Sequence, residues 1–297
     1  MKLVTHYKIE SFADEKKVKN WITNEISDSL VYSHRATEYD RSTFPSRLHS
    51  HDYYELVIYE DGNINHIFES ETYKPKVGDI ILIRPGTFHM TMIGCEKTLY
   101  KRCVFYLYPD ALNHLGCGVL TDFLKTAEKG YAVTTADEHT KNELYNHLKR
   151  LDNALNMEDD HYRALANGIL IEIFFLLNSQ IFTQSKNPFY LPENLVLIKK
   201  HIDENFLKLS SASEVASHFF YSREHVSRLF SRYYNTTVSE YIKAKRIAYS
   251  RNLMEKGLSI SDACYSSGFE NMSTFIRAFK SVTDMTPSEY RKNVIKK

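Results

Sequence analysis

The sequence predicts a two-domain α+β protein: an antiparallel β domain with helices after it, then an all-helical C-terminal module. Three observations predict this. Aromatic and β-branched runs bounded by Gly, Pro and Asp fill Ser29–Tyr108, the apolar period turns helical from Glu138, and a polar stretch with two prolines precedes the last hundred residues. At 297 residues the chain can bury two cores without disulfide staples. With 43% hydrophobic and 25% charged residues it is neither disordered nor fibrous.

The β domain is expected over residues 1–135. DYYELVIYE, GDIILIRP and TLYKRCVFYLYP read as strands, and Asp61-Gly62 as a hairpin turn between two of them. No βαβ alternation occurs, so an antiparallel barrel or sandwich is expected over a parallel sheet.

A helical region follows over 136–182. Leu144, Leu148, Leu151 and Leu155 make one apolar stripe, and a second helix over Tyr162–Gln180 carries Leu165, Ile169, Ile173, Phe174, Leu176 and Leu177. Two readings weigh equally: the helices pack on the β domain, or the stripe is the seam of a homodimer. The longest apolar run, Ile169–Leu177, is interrupted by Glu172 and is far short of a bilayer span. The N-terminus has no apolar signal region, and Cys95, Cys103, Cys117 and Cys264 have no CxxC spacing. No membrane is expected, and the compartment is the cytoplasm with reduced thiols.

Residues 183–194 read as a linker. Charge changes sign beyond it. From Leu195 onward 17 Lys and Arg stand against 10 Asp and Glu, a balance of +7, whereas the preceding part has 21 against 27, or −6. A basic tail on an acidic body suggests a polyanionic partner for the tail.

Two similar helical units stand in that tail, at about 212–233 and 260–282. In the first, Ser213–His218 is a short helix, Phe219–Tyr221 a turn, and Ser222 the N-cap of a second helix that buries Val226, Leu229 and Phe230. Arg223, Glu224, Ser227, Arg228 and Arg232 are left outside. In the second, Ser261–Ser266 is the short helix and Gly268 supplies the turn. Asn271 or its neighbour opens a helix burying Phe275 and Phe279, which leaves Asn271, Met272, Ser273, Ile276, Arg277 and Lys280 outside. A connecting helix over Ser239–Met254, closed by Gly257, separates the units. Each unit has the layout of a helix-turn-helix.

RIAYSRNLM followed by SISDACYSSGFENMSTFIRAFKSVTDMTPSEYR closely resembles the C-terminal signature of AraC/XylS-type transcriptional regulators, over about Leu195–Asn293. Asn235 and Asp284 stand where that family often has glycine, and Ser250 and Cys264 where it usually has alanine. The resemblance implies double-stranded DNA as partner, with both second helices in the major groove. Carried over by position, Glu224, Ser227, Arg228, Met272, Ser273, Ile276 and Arg277 face bases. The charge and reach of Arg223, Arg232 and Lys280 suit phosphates.

His49-Ser-His51-Asp-Tyr53-Tyr-Glu55, then Gly78-Asp79 and Pro85-Gly86-Thr-Phe-His89, resemble the two cupin motifs and the sensory domain of sugar-responsive regulators of this type. The β domain is therefore expected to be a cupin-like barrel. In a continuous strand His49, His51, Tyr53 and Glu55 share one face, with His89 closing from across the barrel. Three readings stay open for them, in this order: lining for a small-molecule effector, hydrogen-bonded structural histidines, and a metal site at His49, His51, Glu55 and His89. Ile93 replaces the usual cupin asparagine and Thr43 the expected glycine, so no metal or other cofactor is expected. The function implied is a non-enzymatic, sugar-linked activator that contacts RNA polymerase. The alternatives are a metal-dependent cupin enzyme with an incidental tail, and a regulator governed by its abundance.

Overall fold

A computed structural model describes residues 21–27, 30–40, 48–68, 71–108, 110–127, 130–156, 162–182, 191–209, 211–283 and 285–292. Thr43, Asp284 and most of the expected linker lie outside these residues. The chain divides into a β-rich unit within 13–44 and 50–189 and a helical unit within 190–297, to which Leu48 and His49 also belong.

The β-rich unit contains β1 (Trp21–Ser27), β2 (Leu30–Asp40), β3 (Tyr54–Asp61), β4 (Ile64–Phe68), β5 (Glu71–Tyr73), β6 (Asp79–Ile83), β7 (His89–Ile93), β8 (Lys97–Leu107) and β9 (Tyr131–Thr135). They form an antiparallel six-stranded sheet, β1-β2-β8-β3-β6-β9, and a three-stranded sheet, β5-β4-β7. Asp61-Gly62 does not make the expected hairpin. β3 pairs with β6 and β8 while β4 pairs with β5 and β7, so the turn hands the chain from one sheet to the other. Gly62, at φ +132°, allows that corner, and its N–H donates to the Asp61 carboxylate.

Both faces of the large sheet are covered. Leu56, Ile58, Leu82, Cys103 and Phe105 point to one side, where α1 (Glu138–Leu155) and α2 (Tyr162–Asn178) meet them with Leu144, Leu148, Leu151, Ile169, Ile173 and Phe174. The leucine stripe is thus spent inside the unit. Leu148 is 1% exposed, and Leu155 packs against the same core, so neither is available as a dimer seam. Burying each such side chain stabilises the fold by about 1.5–3 kcal/mol. Val57, Ile81, Ile83 and Val104 point to the other face, with Phe68 of the small sheet.

In the helical unit α3 (Glu193–Asn205) begins inside the expected linker. After it come α4 (Ala212–His218), α5 (Arg223–Tyr234), α6 (Val238–Glu255), α7 (Ile260–Ser266), α8 (Met272–Thr283) and α9 (Pro287–Tyr290). Ser211, Ser222, Thr237, Ser259 and Thr286 each accept a backbone N–H of the helix they open. Each such cap is worth about 1 kcal/mol. Asn235 adopts the left-handed conformation after α5, and Ser250 and Cys264 pack fully buried, as small residues there must. Lys199, fully buried, is neutralised by Asp203 at 2.6 Å; Asp203 also accepts from Tyr241 at 2.6 Å and pairs with Lys245 at 3.1 Å. This network ties α3 to α6.

Candidate functional site

Two regions carry chemistry: the outer rows of α5 and α8, and the interior of the β-rich unit.

Ser222 caps α5 by accepting from His225 N–H, and Asn271 accepts from Thr274 N–H at the start of α8. Val226 and Phe230 bury one side of α5; Phe275 and Phe279 bury one side of α8. Helical periodicity then sets the opposite rows outside. Arg223, Glu224, Arg228 and Arg232 are exposed on α5, with Ser227 half-buried. Asn271 stands exposed at the start of α8, and Ser273, Ile276, Arg277 and Lys280 are exposed along it. Met272 departs from expectation. It is half-buried against the core formed by Phe275 and Phe279, so packing claims part of its side chain. Leu229 is likewise only half-buried. Gly268 holds the turn before α8 at φ +84°, and a Cβ there would sit 2.6 Å from the Leu207 carbonyl oxygen. Phe220, at the matching turn of the first unit, has φ +56° and is 97% exposed.

In the β-rich unit the expected strand alternation does not place the histidines. β3 starts only at Tyr54; His51 precedes it in irregular backbone, and His49 makes an isolated bridge in the other unit. A bend brings His51 back over Glu55 instead, with Nε2 3.0 Å from Oε2. His89, from β7 of the other sheet, puts its Nε2 3.1 Å from the same oxygen. Tyr53 stacks on the His51 ring at 4.0 Å. Within the β-rich unit the ligand atoms of His51, Glu55 and His89 lie within 4.8 Å of one another, which makes these three able to hold a metal ion; His49 belongs to the other unit.

The second ring nitrogens define the tautomers. His51 Nδ1 lies 2.8 Å from the Tyr53 carbonyl and His89 Nδ1 3.0 Å from that of Thr87. A carbonyl only accepts, so each Nδ1 carries a proton and each Nε2 is aimed at Glu55. Each Nε2–Oε2 contact then needs a proton of its own, or the three atoms need a metal ion between them. Burial works to raise the Glu55 pKa, but the hydrogen bonds to His51 and His89 hold it well below the carboxylate range. Burial pushes the His51 imidazole down.

The same interior holds polar residues that pattern reading passed over. Arg35 and Arg102 are register partners on β2 and β8, and Tyr106 stands opposite Glu55. His66 of β4 is 2% exposed. One signal for them existed: Tyr100, Arg102, Val104 and Tyr106 alternate within TLYKRCVFYLYP. Since helices cover one face of β8 and the small sheet the other, hydrophobicity alone does not say which face is the interior.

Among the described residues no helix is long and apolar enough to cross a membrane. Two family models match the chain: an AraC-like ligand binding domain over residues 31–173 and a helix-turn-helix domain over 215–293. The HTH-type transcriptional activator RhaS of Klebsiella pneumoniae (strain 342) is 25% identical over 255 residues, 84% of this chain and 88% of that protein. The melibiose operon regulatory protein of Escherichia coli (strain K12) is 23% identical over 304 residues, covering 94% of this chain and 93% of its own. A crystal structure of ToxT from Vibrio cholerae O395 aligns over 89% of this chain and 97% of its own, with 17% identity and a TM-score of 0.34.

Proposed function

For a chain that belongs to the AraC family of transcriptional regulators, we propose that it activates transcription from paired DNA half-sites in answer to a small polar metabolite bound inside its β-rich unit. The observation that carries this reading is the pair of capped helices, α5 and α8, each buried on one side and presenting arginines on the other.

Arg228 and Arg277 have the fork that matches guanine O6 and N7, and Ile276 offers an apolar surface to a thymine methyl. Arg223, Arg232 and Lys280 meet phosphates, which fix register without reading sequence. Glu224, Ser227, Asn271, Met272 and Ser273 complete the two surfaces. α6, at 18 residues and ~27 Å long, spaces the helices near the ~34 Å repeat of the major groove.

A carbohydrate is the effector class favoured by the names of the relatives, one of which regulates a melibiose operon. His51, Tyr53, Glu55 and His89 line its site, since a polyhydroxyl ligand partners several buried polar groups at once. The chain acts in the cytoplasm as a homodimer, and as an activator it meets RNA polymerase. With the leucine stripe spent, the dimer contact falls to the outer side of α2, where Leu165 is 44% and Phe175 64% exposed.

Genome-wide mapping of DNA bound by the full chain tests this reading. Enrichment at a few paired sites upstream of metabolic genes is expected; uniform, salt-sensitive coating of DNA without preferred sites would overturn it.

A further inference from the structure

The interior of the β-rich unit sets two arginines side by side. Arg35 lies directly opposite Arg102 across the β2–β8 ladder. Like charges so placed repel each other, and here they do so largely out of water. Arg35 is 8% exposed, and its Nε donates to Ser33 at 2.7 Å. The Arg102 guanidinium lies 4.2 Å from the Tyr100 ring centre, while its Nη1 is buried with no hydrogen-bond partner among the described residues. His66 Nε2 is buried in the same condition, its Nδ1 being 3.2 Å from Thr91 Oγ1. Glu55 shares this interior but faces His51 and His89 with its Oε2.

Two buried polar atoms without partners and two adjacent guanidiniums describe a binding site for an oxyanion. We propose that the metabolite bound in this interior is an anion, a hydroxylated compound whose carboxylate or phosphate is taken by Arg102 and Arg35 while His66 and Tyr106 meet its hydroxyls. An arginine fork holds such a group with two parallel hydrogen bonds, which a neutral sugar does not match. The inference rests on the effector reading above and narrows its chemistry from carbohydrates at large to sugar acids and sugar phosphates.

The test uses the full chain and three kinds of probe. Inorganic phosphate is compared with chloride at equal ionic strength; D-galacturonate is compared with D-galactose, and D-glucose 6-phosphate with D-glucose. The expected result is a higher unfolding midpoint with inorganic phosphate and with at least one acid or phosphate ester, that ligand binding at least tenfold tighter than its neutral parent. The uronate and phosphate arms tell the two oxyanions apart. Arg102→Met should abolish these shifts while its own unliganded midpoint stays equal to or above that of the parent chain, because repulsion with Arg35 is relieved. A lower unliganded midpoint would assign Arg102 to structure and overturn the proposal. Binding of a neutral sugar as tight as its acid would overturn the anion and leave the effector site standing. No shift with any probe, alongside intact DNA binding, would overturn both.

Discussion

His34 Nδ1 lies 2.7 Å from Asp152 Oδ2, joining strand β2 to helix α1. The other ring nitrogen is 2.6 Å from Glu60 Oε1, so the imidazolium is held between two carboxylates. Burial acts to lower its pKa, but the hydrogen bonds to Asp152 and Glu60 outweigh it and raise the value to about 10.

His34→Gln should therefore destabilise the β-rich unit by about 2 kcal/mol, the scale of a hydrogen bond to a charged group. The sign with pH follows from a raised folded value. The contribution is complete below the unfolded histidine value near ~6.5, shrinks as pH climbs, and vanishes above about 10. Urea unfolding of both chains between pH 6 and 10.5 measures it; a difference that stays constant over that range would mean the ring is not held as a cation.

Asp203→Asn should cost the helical unit about 3 kcal/mol, because buried Lys199 loses the carboxylate that lies 2.6 Å from it. Burial opposes ionisation of Asp203, yet Lys199 and Lys245 bring its pKa below the usual value. A depressed carboxyl contributes stability that is present above its unfolded pKa and lost as pH falls through the folded one. The parent chain should accordingly approach the variant in stability under acid, which calorimetry would read.

Arg277→Ala should weaken binding to a selected site by about 1–3 kcal/mol and relax preference at one base position, whereas Lys280→Ala should weaken all sequences alike. Equal loss on every sequence for both variants would assign Arg277 to phosphate.

Leu165→Glu together with Phe175→Glu should yield a folded monomer by sedimentation, with weakened binding to paired half-sites and normal binding to single ones. Leu148→Glu should instead unfold the β-rich unit, since a charge is forced beneath α1 at a cost of several kcal/mol. A folded, dimeric Leu165/Phe175 variant would move the dimer contact elsewhere.

Chelation should leave the midpoint and DNA binding unchanged, His51 and His89 each holding Glu55 through a hydrogen bond. A chelator-sensitive midpoint, with one equivalent of a first-row metal released, would place that metal between them instead.

The helical unit was readable from sequence almost residue by residue. Its helices are announced by local signals: Ser222 and Asn271 as caps, Gly268 at a left-handed turn, Phe275 and Phe279 one helical turn apart. Met272 escaped because a residue at the edge of a helix face is claimed by packing that periodicity does not resolve. In the β-rich unit the strands were legible but their partners were not, since pairing such as β2 with β8 joins distant segments. The same blindness turned Asp61-Gly62 into a hairpin and His51 into a strand residue. Glu55 and His89 stand out in sequence by the resemblance of their segments to the cupin motifs, whereas Arg35 and Arg102 needed the register that sets them opposite each other.

That register also sets a clock. Leu30 of β2 meets Leu107 of β8, and Asp40 meets Lys97, so the longest ladder of the unit closes only after β3 to β8 have been synthesised. At about 5–20 residues per second, β2 waits several seconds on the ribosome with β1 on one edge and the edge meant for β8 unpaired. The helical unit, built from neighbouring contacts, folds on the faster scale of low-contact-order domains. The part of this regulator that senses is thus the part most dependent on protection during its own making, and a weakened β2–β8 pairing would be felt as lost yield before it is felt as lost response.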